Sequence, residues 1–145
     1  MSELQIRQAT SADAGPIARL LGQLEYPTES TDVPRRLERV TGNHRAAVLL
    51  AHRGDTVVGL ASVHVLSVLN RPRDVAWLTA LVVDESARGA GVGRRLVEAV
   101  EEFARQSGCE RMSVTTQEHR ADARRFYARV GWEPTGRRFG KVVSG

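Results

Sequence analysis

The chain has 145 residues, 41% hydrophobic and 26% charged, with 21 lysines and arginines against 17 acids and a net charge of +4. That length suits one domain, and no apolar run approaches the roughly 18 residues that cross a bilayer, so no membrane partner is expected. The single Cys109 excludes an internal disulfide framework and a cysteine-anchored metal site, while arginines scattered from Arg7 to Arg138 argue against a nucleic-acid partner, which calls for charge gathered on one face.

The opening MSELQIRQAT lacks the charged-then-apolar order of a secretion signal, so the expected compartment is the cytoplasm. Within it LQIRQA alternates as a half-buried strand does. Thr10 then offers a helix N-cap with Asp13 three residues on, and Ile17, Leu20, Leu21 and Leu24 form an apolar stripe. In GQLEYPTESTDVPRRLERVTGN, Asp32 is the expected cap of a short helix, Pro34 fits its first turn and Gly42-Asn43 is expected to close it. RAAVLLAHR and TVVGLASVHVLSVL are β-branched runs joined by a Gly54-Asp55 turn, which predicts a hairpin. NRPRD breaks the chain. The nearly unbroken apolar run VAWLTALVV then predicts a strand covered on both faces.

Beyond a glycine-rich segment, Val92, Leu96, Val97, Val100, Phe103 and Ala104 share one face of a helix that ends at Gly108. Cys109 reads as a small buried hydrophobe, and ERMSVTT as the next strand. Strand, helix and strand in succession make a right-handed parallel βαβ unit. A last helix carries Ala123, Phe126, Tyr127 and Val130 and stops at Gly131, and RRFGKVV predicts a closing strand. The expected fold is a single α/β (α+β) domain over residues 1–145, with antiparallel strands first and a parallel pair later.

The segment ARGAGVGRRL, residues 87–96, follows the end of a strand and opens a helix. Amides in the first turn of a helix have no partner within it and favour anions. Glycines permit positive φ angles that turn successive N–H groups inward, and they let phosphate oxygens approach without meeting a Cβ. Arg88, Arg94 and Arg95 add positive charge at the rim, so a pyrophosphate is the natural occupant. No lysine stands here to complete a nucleoside-triphosphatase loop, and Arg94 occupies the third glycine position of a dinucleotide fingerprint. A glycine-rich connection without a ligand is the competing reading.

VVDESARGAGVGRRL resembles the acyl-CoA signature [Q/R]-x-x-G-x-[G/A] of the GNAT N-acetyltransferase superfamily, with Arg88, Gly91 and Gly93 at the fixed positions. ADARRFYARVGW resembles that superfamily's A-x-x-x-Y-x-x-x-G-[F/W] segment through Ala123, Tyr127, Gly131 and Trp132. The order of elements from residue 4 to 143 agrees with the superfamily fold, including helices on both faces of a mixed sheet and two parallel strands that splay apart. The resemblance implies an acetyl-CoA-dependent N-acetyltransferase without a metal, in which an amine attacks the thioester directly. It implies that the backbone of Leu81, Val82 and Val83 bonds the pantetheine arm and that amides of Arg88, Gly89, Ala90, Gly91, Val92, Gly93 and Arg94 hold the pyrophosphate. Phe126 is implied to lie beside the cofactor. For Tyr127, an apolar stripe alone means packing, whereas the resemblance implies that its phenol gives a proton to the leaving sulfur. Many relatives pair as dimers.

Two departures bear on mechanism. Arg120 stands where the superfamily often has asparagine, and either meets a phosphate or faces water. Trp77 and Thr79 stand where several relatives carry a glutamate base, which leaves ordered water, Glu118, His119 or Glu25 for that task, each reading equally as a solvated group. His44, His52 and His64 lie on different elements, with packing or solvent as their default. Glu25, Glu29 and Asp32 flank Tyr26 in the segment that lines the acceptor site in the superfamily. The expected acceptor is a small-molecule amine, because VTTQEHR lacks the Glu-Val-Arg-like segment of protein-acetylating relatives. The alternatives are transfer to a protein amine and an acyl-CoA-sensing module without turnover.

Overall fold

The computed structural model describes residues 3–42, 45–116 and 120–144. The chain divides into two compact units, Met1–Val114 and Thr115–Gly145.

The first unit is built on one five-stranded sheet: β1 (Leu4–Gln8), β2 (Ala46–Arg53), β3 (Thr56–Leu66), β4 (Val75–Val83) and β5 (Arg111–Val114). The strands lie in chain order, antiparallel up to β4 and parallel between β4 and β5. Helices α1 (Ala14–Gln23) and α2 (Val33–Thr41) connect β1 to β2, and α3 (Val92–Gln106) connects β4 to β5. On one face Val48, Leu50, Leu60 and Val82 pack with Ile17 and Leu20 of α1 and Val33 and Leu37 of α2. On the other, α3 buries Val92, Leu96, Val97, Val100 and Ala104, and each such aliphatic burial contributes about 1.5–3 kcal/mol for the larger side chains. The seat for α3 is Gly59 of β3, where a Cβ would fall 2.8 Å from Leu96 Cδ1 and 3.0 Å from Val92 Cγ1. A Cβ there would force the Leu96 and Val92 side chains to shift.

A bulge interrupts β4. Ser62 faces Ala80 and Val63 faces Leu78, which leaves Thr79 as the extra residue, its hydroxyl donating to the Ser62 carbonyl at 3.1 Å. Even-numbered side chains of β4 therefore change sides, from the α3 face at Leu78 to the α1–α2 face at Val82. The expectation that β4 is covered on both faces holds only in part. Trp77 is half-buried and Thr79 exposed, because the described α1–α2 cluster reaches Val82 but neither of those residues.

Two helix ends differ from the expected chemistry. Asp32 caps no amide with its side chain and instead pairs with Arg35 at 3.6 Å. Gly42 keeps a right-handed φ of −62°, and its place is explained by crowding, since a Cβ there would lie 2.8 Å from the Glu38 carbonyl oxygen.

In the second unit, α4 (Ala121–Arg129) half-buries Ala123, Phe126 and Tyr127, and Val130 follows them on the same stripe. The helix stops in a Schellman motif. Gly131, at φ +96°, donates to the Ala128 carbonyl at 3.1 Å, and the Trp132 amide reaches back to the Tyr127 carbonyl at 2.9 Å. Residues 133–144 form no helix or strand, so the closing strand expected at RRFGKVV is absent. Phe139, Val142 and Val143 are 95%, 83% and 90% exposed; a segment that buries so little cannot offset the entropy of ordering it.

A two-pronged ion pair ties β1 to the start of α1. The Arg7 guanidinium donates to both carboxylate oxygens of buried Asp13 at 2.8 and 2.9 Å, and the Thr10 amide donates to Oδ2 at 2.8 Å. These bonds, Arg7 foremost, hold the Asp13 carboxyl at a pKa of about 2. A carboxylate depressed in the folded state stabilises fully above its unfolded pKa of about 3.9 and ceases to do so as pH falls through its folded value. Asp13→Asn should therefore cost about 2 kcal/mol at pH 7 by urea unfolding. The difference from wild type should shrink as the pH is lowered from about 4 to about 2.

Candidate active site

The parallel pairing of β4 with β5 covers only Val75↔Arg111 through Leu78↔Val114. From Thr79 to Val83 the outer edge of β4 has no strand beside it among the described residues. Asp84 N–H donates to the Val58 carbonyl at 2.8 Å. Because peptide groups alternate sides along an antiparallel ladder, those of Val82 also turn toward β3, and those of Leu81 and Val83 face the open edge. Of the three residues expected to offer backbone to a ligand, Leu81 and Val83 are so directed. The Val83 carbonyl already accepts a bond from Arg88 Nε at 3.2 Å.

The open edge runs into the glycine segment. After a single 3-10 turn at Glu85–Ala87, Arg88 is extended, Gly89 takes φ +84° and Gly91 φ +81°. Nothing lies within 4 Å of a Cβ built on Gly89 or Gly91. These glycines answer to backbone conformation rather than to crowding. Gly91 caps α3, and the first helical bond there runs from the Arg95 amide to the Gly91 carbonyl at 3.1 Å. The amides of Val92, Gly93 and Arg94 precede it and have no acceptor within the helix. Gly93 lies inside the first turn of α3. Arg95 reaches away to the Leu4 carbonyl at 3.4 Å, so of the three arginines at this junction Arg88 and Arg94 remain to supply charge at the loop.

Sequence reasoning missed the group that anchors this loop. Asp84, the last residue before it, accepts from Gln23 Nε2 at 2.9 Å, from Ser86 Oγ at 2.9 Å and from Arg19 at 3.1 Å. The same Gln23 side chain accepts from the Glu85 amide at 3.0 Å. These bonds, Gln23 first, hold the Asp84 carboxyl below its usual range. The loop is thereby bolted to α1. Gln23 and Asp84 are 61 residues apart, and nothing local to either signals the contact.

Tyr127 lies on the half-buried stripe of α4, its ring 5.4 Å from Trp132 and 5.3 Å from Phe126 between centroids. Burial pushes its phenol up to about 12, against a smaller lowering by Arg120. The phenol therefore keeps its proton throughout the neutral range and has an O–H to donate. Arg120 precedes α4, and its carbonyl accepts from the Arg124 amide at 3.2 Å.

The other candidates are dispersed. Tyr26 is 58% exposed between α1 and α2, and Glu25 beside it holds a positive φ of 74°. Glu118, His119 and His44 lie outside the described residues. Among the described residues no group of three His, Cys, Asp or Glu could hold a metal ion, and no helix is long and apolar enough to cross a membrane.

Comparison with known proteins agrees with this geometry. Residues 16–132 match the model of the acetyltransferase (GNAT) family. The chain is 30% identical to an aminoalkylphosphonate N-acetyltransferase of Salmonella typhimurium, covering 99% of this chain and 94% of that one. It is 31% identical to an aminoglycoside N(6')-acetyltransferase of Stenotrophomonas maltophilia over 91% of this chain and 88% of the relative. A solved aminoglycoside N-acetyltransferase in complex with CoA superposes with a TM-score of 0.87 at 21% identity, covering 99% of this chain and 96% of that one. An open β4 edge, a glycine turn at the mouth of α3 and a family match across most of the sequence lead to one assignment: the chain belongs to the GNAT family of acetyltransferases.

Proposed function

We propose that the protein moves an acetyl group from acetyl-CoA to the amine of a small molecule, and that both units act together as one domain. The family match runs through both units, and the second is too short to bury a core alone. The observation that carries the reading is the continuous track from the unpaired β4 edge to the bare amides of α3. An extended pantetheine arm finds peptide groups of Leu81 and Val83 along that edge, as an added strand would. A diphosphate at its end meets the amides from Gly89 to Arg94, the positive end of α3, and the guanidinium groups of Arg88 and Arg94.

With the thioester so held, the amine nitrogen attacks its carbonyl carbon. The C–N bond forms, the C–S bond breaks, and the sulfur leaves with a proton. The group proposed to meet that sulfur is Tyr127. A phenol near 12 is a weaker acid than a thiol near 8.5, so it serves best as a hydrogen-bond donor to the developing thiolate, with full transfer completed by solvent. The two relatives named above act on aminoalkylphosphonates and aminoglycosides; both substrates are small amines, which supports a small acceptor here. The cofactor-binding and catalytic assignments rest on this resemblance together with the geometry of each unit.

Calorimetry with CoA and a free-thiol assay with acetyl-CoA and a panel of aminoalkylphosphonates, aminoglycosides and an N-terminal peptide amine test the proposal. Tight CoA binding with thiol release on a small amine is expected. Binding with no turnover on any amine would point to a sensing module, and no binding would remove the loop from the site. Gly91→Val puts a β-branched residue at φ +81° and a Cβ where phosphate oxygens would pass, so CoA affinity should fall at least about tenfold. Unchanged affinity in a folded variant would show that the nest does not bind the coenzyme. Tyr127→Phe should lower kcat by roughly 10-fold to 100-fold with little change in CoA affinity. Equal losses in both would mark the phenol as structural.

A further inference from the structure

The transfer requires an amine without its extra proton, and no carboxylate stands on β4 to remove it. β4 carries Trp77 and Thr79 at mid-strand. Among the described residues, two buried side-chain atoms have no hydrogen-bond partner, His64 Nδ1 and Glu110 Oε1. Glu110 precedes β5, its amide bonded to the Asp74 carbonyl at 3.0 Å, at the end of the sheet farthest from the glycine loop. His64 lies in the same half of the sheet, a little nearer the loop. It sits on β3 directly across from Trp77, and Trp77 in turn pairs with Ser113 of β5.

Ala46, His64, Trp77 and Ser113 therefore form one row across four strands on the same face. Directly opposed side chains in such a row have Cβ atoms about 5 Å apart. The row lies one residue before Leu78, where the β4–β5 pairing ends and the gap opens. The α1–α2 cluster on this face takes in Val48, Leu60 and Val82, and neither His64 nor Trp77 is among its described members. Among the described residues of the flanking strands, charge on this face is sparse. On this face β2 contributes Ala46 and Val48, β4 contributes Val75 and Trp77, and β5 contributes Arg111, one row beyond Ser113. No acid on a flanking strand shares the face. With Nδ1 unengaged, uptake of a proton breaks no hydrogen bond of the fold.

We propose, on the strength of the transferase reading above, that His64 is the general base that takes a proton from the acceptor ammonium. The neutral imidazole accepts one N–H proton, the freed lone pair forms the C–N bond to the acetyl carbon, and the C–S pair leaves on sulfur. The amine gives up two protons in all. One passes through His64 to solvent and the other ends on the thiol of CoA, so the balance closes without any further reactant.

The test compares the wild-type protein with His64→Gln, and with His64→Ala in the absence and presence of added imidazole. Acetyl-CoA serves as donor, and the acceptor is aminomethylphosphonate or kanamycin, whichever the wild type turns over. Expected are a roughly 100-fold fall in kcat for His64→Gln, an unchanged Kd for CoA by calorimetry, and partial rescue of His64→Ala by imidazole. The wild-type rate should decline on the acid side, as imidazolium cannot accept a proton, and that limb should vanish in His64→Gln. In the intact protein the His64 ring resonances should titrate with the midpoint of that limb, a readout that stands even where a variant fails to fold. Turnover of His64→Gln near the wild-type rate, or a mismatch between resonance and rate, overturns the role. Wild-type protein that binds CoA yet acetylates no amine overturns the transferase reading and this role together, an outcome distinct from the first.

Discussion

Everything at the proposed site follows from peptide groups left without partners. A strand in the interior of a sheet normally bonds on both sides, but β4 pairs with β5 only to Leu78, and beyond that no strand among the described residues meets its outer peptide groups, of which the Val83 carbonyl takes Arg88. A few residues later the first amides of α3 are in the same position, for a different reason: no helix can satisfy its own first turn. The chain sets these two unmet demands end to end and joins them with a segment bare enough for a ligand's backbone to follow.

Such an arrangement is useful only when held still, and the structure holds it from two sides. Gly59 admits Val92 and Leu96 to the face of β3, which fixes the height of α3 above the sheet. Asp84 draws together Gln23, Arg19 and Ser86, which fixes the point where the loop departs. Both contacts act on the approaches to the loop, and the loop itself stays open, with nothing near the missing Cβ atoms of Gly89 and Gly91. Rigid supports around an exposed turn suit a group that must bind a charged ligand without rearranging.

Much of this was legible in the sequence because its signals are local. VAWLTALVV lies between NRPRD and an acid, and its predicted bounds are those of β4; the apolar stripe of α3 and the glycines at its mouth were equally plain. What escaped depends on register. The Thr79 bulge has no local signature, and it decides which face each β4 side chain meets. The pairing alternation likewise separates Val82, whose peptide groups serve β3, from Leu81 and Val83, a distinction no reading of three consecutive apolar residues could make. The Gln23–Asp84 bond joins segments far apart in the chain. At the other extreme, RRFGKVV has strand-like alternation, yet it pairs with no strand among the described residues and leaves Phe139, Val142 and Val143 exposed.

The ending of α4 adds a consequence for how this family's second signature is understood. Tyr127, Gly131 and Trp132 occupy the three positions that define a Schellman stop, and the two aromatic rings lie against each other across it. Their spacing is thus demanded by the way a helix terminates, whatever the phenol does. A descendant stripped of all acyl transfer would still gain stability from keeping that tripartite pattern, so its presence is testimony to architecture first and to chemistry only through the hydroxyl.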